Sequence, residues 1–128
     1  MKRVYLAGLF SEYDVWKDEV KKAEGFDFFD PEVHSNQSSP DTFFPDDFAA
    51  VKLSDILIAY PGSTPCEGTW IEVGYFISNK TERPGDLCKN LIIIWQKDRI
   101  NWSLEFVNKA GIIVSSVDEA IEYLKKLR

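Results

Sequence analysis

Two stretches constrain this chain most: Ile56-Leu57-Ile58-Ala59 and Leu91-Ile92-Ile93-Ile94, each apolar at every successive position. A strand with one face in water alternates apolar and polar residues, so an unbroken apolar run points to a strand covered on both faces. Further apolar runs at residues 4–7, 26–29 and 112–114 are separated from these by amphipathic segments. Strands alternating with helices are the pattern of a parallel sheet with crossover helices. The expected fold class is therefore α/β: a flavodoxin-like three-layer sandwich with a five-stranded parallel sheet in the order 2-1-3-4-5. Residues 1–128 read as one domain, long enough to bury about two thirds of its unfolded surface without disulfide or metal.

Helical spacing of Val15, Trp16, Val20 and Ala23 predicts a first helix over residues 13–23, ending at Gly25. Phe48, Val51 and Leu53 predict a shorter helix entered through Pro45. A third is expected over residues 70–78. The last, over 117–127, places Ala120, Ile121, Leu124 and Leu127 on one face behind a capping box of Ser116 and Glu119. Residues 31–45, rich in Ser, Asn, Asp and Pro, form the longest irregular stretch and read as a lid over a pocket near Asp47.

Composition narrows the function. Fifteen basic against twenty-one acidic residues give a net charge of −6, and basic clusters do not exceed the pairs Lys21-Lys22 and Lys125-Lys126, so a nucleic-acid partner is not expected. The absence of an apolar run near 18 residues and of a signal peptide points to a soluble, cytoplasmic protein without a membrane partner. Cys66 and Cys88 lack CxxC spacing and are expected to stay thiols. The single histidine, His34, argues against a His-based metal cluster or a serine triad and is expected to be solvated. Aromatic residues make up 14% of the chain, an ample supply for stacking a flat ring.

The segment Gly68-Thr69-Trp70-Ile71-Glu72-Val73-Gly74-Tyr75 follows the apolar run 56–60 and a short loop, which sets Glu72 in the first turn of a helix. In an open α/β sheet that turn borders the crevice where ligands bind, so the carboxylate can serve as nucleophile or base. Thr69 and Glu72 equally match a capping box, the same spacing as Ser116 and Glu119. Spacing alone does not separate catalysis from capping.

Tyr5-Leu6-Ala7-Gly8-Leu9-Phe10, the segment from Asp47 to Asp55, and Gly68-Thr69-x-x-Glu72-x-Gly74-Tyr75 stand together in an order that resembles the nucleoside 2-deoxyribosyltransferase family. The resemblance spans roughly residues 3–80, and more loosely the strand at 90–95 and the loop containing Asn101. It implies transfer of 2-deoxyribose between nucleobases, with retention, through a covalent deoxyribosyl ester on Glu72. It further implies that Tyr5 orients that carboxylate, that Asp47 orients the substrate or assists proton transfer, that Phe10 lines the base pocket, and that the loop containing Asn101 reaches substrate in a neighbouring subunit's site; Gly8, Cys66, Glu67 and Gly68 are expected to border the substrate as well. Asp55 reads as a structural turn residue. The partners implied are a deoxynucleoside and a free nucleobase, with no cofactor or metal. A homodimer or larger assembly is implied too, its contact drawn from Trp70, Tyr75, Phe76 and Trp102.

One departure matters. Cys66 stands where the family has an aspartate that protonates the departing base, and a thiol is a poor hydrogen-bond donor. Glu67 or Asp47 could take that part, or the base could be an unusual one. Hydrolysis of a deoxynucleoside or nucleotide is the alternative reaction. Glu12 and Asp14, after the first strand, would repel a substrate phosphate. A non-catalytic nucleoside-binding module is the alternative of another class.

Overall fold

The computed structural model describes residues 1–62, 66–83, 85–96 and 101–128. Five strands, β1 (Lys2–Gly8), β2 (Phe26–Phe29), β3 (Ile56–Tyr60), β4 (Leu91–Ile94) and β5 (Ile112–Val114), form one parallel sheet in the order β2-β1-β3-β4-β5. The flavodoxin-like three-layer fold expected from the apolar runs is thus the fold observed.

Alternation along the central strands builds both interior layers. Val4, Leu6, Ile56, Ile58, Ile92 and Ile94 face helices α1 (Trp16–Lys21) and α6 (Val117–Lys126) through Trp16, Val20, Ala120 and Leu124. Their neighbours Tyr5, Ala7, Leu57, Ala59, Leu91 and Ile93 face Val51 of α3 (Pro40–Leu53), Val73 and Phe76 of α4 (Glu67–Lys80), and Leu104 of α5 (Trp102–Val107). Both sets are buried, which is why β3 and β4 read as continuous apolar runs. Asp55 acts as the turn residue expected: its carboxylate accepts from Arg3 N–H at 2.9 Å and its own N–H donates to Arg3 O at 2.9 Å, setting β3 beside β1.

The structure differs from expectation at several points, among them helix α5, which was not expected, and the start of α4 at Glu67 instead of residue 70. Residues 31–45 are mostly helical rather than irregular: α2 (Pro31–His34) is capped by Asp30, and α3 begins at Pro40, with Pro45 inside it. Helix α1 is shorter than 13–23; Val15 is its exposed N-cap residue, and Leu53 is likewise exposed at the end of α3. Phe76, proposed for an intersubunit surface, is fully buried against the sheet. His34 is exposed but also structural, its Nδ1 accepting from Asp30 N–H at 2.9 Å. Among the described residues no helix is long and apolar enough to cross a membrane.

Candidate active site

Glu72 does not cap its helix. Helix α4 starts at Glu67, with Cys66 in the N-cap position and no side-chain cap bond, so Glu72 lies in the second turn rather than the first. Its Oε2 instead accepts a hydrogen bond from the Tyr5 hydroxyl, which reaches it from β1. Tyr5 is fully buried and stacked on Phe29, with ring centroids 5.5 Å apart. At the other pair of the same spacing, Ser116 Oγ accepts from Glu119 N–H at 3.1 Å while the Glu119 carboxylate takes Ser115 N–H at 3.0 Å. That pair caps a helix and the Thr69/Glu72 pair does not.

Burial pushes the Glu72 carboxyl up to about 7; the Tyr5 hydrogen bond and the charge of Lys17 oppose the rise, and the charge of Asp47 adds to it. Burial, then the adjacent Glu72 charge, hold the Tyr5 phenol well above its usual range, so it serves as a donor. Asp47, 9% exposed on α3, is also raised by burial, and its Oδ1 is buried without a hydrogen-bond partner among the described residues. Buried polar oxygens are nearly always satisfied, so this atom is one a ligand could satisfy.

A cavity of about 310 Å3 collects these groups at the carboxyl end of β1, at the small end of the range for small-molecule sites. Of the residues expected to form a site, Gly8, Phe10, Asp47, Cys66, Glu67, Gly68 and Glu72 line it, and Tyr5 reaches it through Glu72. Gly8 is required where it stands: its φ is +136°, and a Cβ there would lie 2.1 Å from Tyr60 O. Cys66 Sγ donates to Pro61 O at 2.6 Å. Asn101 does not line this chain's own cavity; its carboxamide caps α5 by accepting Leu104 N–H at 2.9 Å, and its neighbour Ile100 lies outside the described residues.

Six further lining residues, Leu6, Lys17, Pro31, Gln37, Phe43 and Thr69, were not expected as site residues. Lys17 is the most unusual. It is 4% exposed and ion-paired to the buried Asp30 at 2.8 Å, which Lys21 also holds at 2.6 Å. Burial works against the charge of Asp30, but hydrogen bonds from the two lysines win and keep its carboxyl below the usual range. The available signal was Lys17 and Lys21 at i, i+4, a pair able to face a single acid at the end of β2. Among the described residues, no group of three or more His, Cys, Asp or Glu side chains is placed to hold a metal ion.

The chain matches no family model and no curated protein. Its fold is similar to that of Clostridium botulinum CMP N-glycosidase, BcmB, at 24% identity and a TM-score of 0.65, over 97% of this chain and 99% of that one. It is also similar to the solution structure of BlsM, at 15% identity and a TM-score of 0.63, over 95% and 86% of the two chains. The likeness in both cases is one of fold.

Proposed function

We propose that this protein cleaves the N-glycosidic bond of a deoxynucleoside and passes the deoxyribose to a second nucleobase, with Glu72 as the covalent nucleophile. The observation that carries the reading is the Tyr5 hydroxyl on Glu72 Oε2 at the wall of a cavity shared with Asp47. The hydrogen bond favours the ionised glutamate and fixes its plane, leaving Oε1 to meet the anomeric carbon. Attack forms a glycosyl ester with inversion, and displacement by the acceptor inverts again, so configuration is retained. Asp47, which lines the same cavity and has a buried oxygen without a partner among the described residues, orients the substrate or carries a proton.

Hydrolysis is the second reading, favoured by the fold shared with a protein named as a CMP N-glycosidase. Water then replaces the acceptor base. Glu12 and Asp14, on the loop after β1, favour a substrate without a 5′-phosphate over a nucleotide. Two or more copies of the chain assemble through the exposed aromatic surface of α5. Incubation of deoxynucleosides and their 5′-phosphates, with and without a second free base, tests the reading. Base exchange lost in Glu72→Ala supports transfer, and free sugar regardless of acceptor supports hydrolysis. Exchange by Glu72→Ala at the wild-type rate overturns the assignment of the nucleophile. Saturable nucleoside binding without any product supports a binding module instead.

A further inference from the structure

Lys17 has no part in the reaction as proposed so far, yet the fold takes trouble to place it. Its Nζ donates to Asp30 Oδ1 at 2.8 Å, lies 3.7 Å from Glu32 Oε1 and stands 4.9 Å from the centroid of the Phe10 ring. Asp30 is fixed in turn by Lys21 at 2.6 Å and by Glu32 N–H at 3.0 Å. The ammonium is therefore held in a fixed place. An ammonium carries three N–H donors, and the Asp30 bond takes one of them. Among the described residues lining the cavity, Lys17 is the only cation, and it shares that lining with three acids, Asp47, Glu67 and Glu72.

Breaking an N-glycosidic bond creates two charges. The positive one on the sugar is answered by Glu72. The bonding pair goes to the base, and a buried base anion needs a counter-charge where water is scarce. Cys66 directs its thiol hydrogen to the Pro61 carbonyl. Lys17 is the group in the cavity with the right sign, and the flat Phe10 ring beside it offers a stacking surface for a base.

We propose that Lys17 is a catalytic residue that takes up the negative charge of the departing base, an inference that rests on the glycosidic cleavage proposed above. In the first step the C1′–N bond breaks with its electron pair passing to the base nitrogen. A Glu72 oxygen forms the C1′–O bond, and the base anion is held as an ion pair by Lys17. The anion takes a proton from water as it leaves. In the second step the acceptor's N–H, or the O–H of water, gives its proton back to solvent as it displaces Glu72 from the ester. Atoms and charges balance without another reagent.

The test is the dependence of rate on leaving group. A series of deoxynucleosides whose free bases span a wide range of N–H acidity is cleaved by wild type, Lys17→Gln and Lys17→Arg. Lys17→Gln should lose roughly 100-fold with the poorest leaving bases, the size of effect seen when one positioned donor to developing charge is removed. With the best leaving bases it should lose only a few-fold, and Lys17→Arg should restore most of the shallow wild-type slope. An equal loss across the series overturns the proposal while leaving glycosidic cleavage intact. No base release by wild type from any member overturns both. Should Lys17→Gln not fold, binding to wild type decides: a base ionised at the assay pH should bind more tightly than a neutral base of the same shape, and the reverse order overturns the proposal.

Discussion

Glu72 sits where its own ionisation is opposed. With burial raising its carboxyl to about 7, the proposed nucleophile is only partly ionised at neutral pH, so kcat/KM should rise along a limb centred near 7 and level off above it. The Tyr5 hydroxyl favours the ionised form, so Tyr5→Phe should move that limb to higher pH and lower the neutral rate by roughly 10- to 100-fold, the scale of one hydrogen bond to a charged group. A pH–rate profile of the two proteins checks both statements, and an unmoved limb removes the phenol from the account. Stability responds in the opposite sense. The folded carboxyl is raised above its unfolded value of 4.5, so its contribution is fully present below that pH and lost as pH rises through about 7. Glu72→Gln should match wild type in acid and exceed it above neutrality by up to about 3 kcal/mol, measured by chemical denaturation across that range. Glu72 drew attention by its place after the apolar run 56–60, whereas Tyr5 and Asp47 were named only through the family resemblance. Lys17 drew none, because a lysine on a helix ordinarily goes to solvent and only the folded position of Asp30 draws it inward.

Helix ends show what local sequence can and cannot say. Ser116 and Thr69 are each followed three residues later by glutamate, but only Ser116 holds its backbone N–H partner, because α4 starts at Glu67 and leaves Thr69 inside the helix. Ser116→Ala should therefore cost about 1 kcal/mol in denaturant unfolding, whereas Thr69→Ala forfeits no cap. A cap-sized pH-independent loss in both would contradict the assignment of α4. The same limit explains the misreading of residues 31–45, where two proline residues that usually stop helices fall at or near the start of one, at Pro31 and Pro40, and a third, Pro45, is carried inside α3. Helix α5 is six residues long, too short for apolar periodicity to announce it. Tight backbone approach, by contrast, leaves a clear mark. Gly8→Ala would drive a Cβ into the Tyr60 carbonyl at a positive φ, and should destabilise the fold by at least about 3 kcal/mol, read from the denaturation midpoint.

At the scale of the molecule, strand order was readable because five apolar runs in a β/α alternation admit few right-handed arrangements, and the widest runs had to be central. What a single chain does not reveal is which surface is covered by another. Trp102 and Phe106 are 80% and 92% exposed, and with Trp70 and Gly74 they border a cleft of about 340 Å3 between α4 and α5. Exposed aromatics gathered at one cleft are costly to leave in water and are enriched where proteins associate. Helix α4 links this face to the site: Trp70 and Gly74, one turn apart, border the cleft, while Glu72 lines the cavity beside Asp47. A partner pressed on the cleft would hold α4 in place, so assembly and activity should fail together. Light scattering of the wild type should give at least twice the chain mass. Trp102→Glu with Phe106→Glu should give the single-chain mass and lose most base-exchange activity while keeping its unfolding cooperative. A wild type that is monomeric at micromolar concentration, or a monomeric double variant with full activity, would show that the site is complete within one chain and that the aromatic face serves something else.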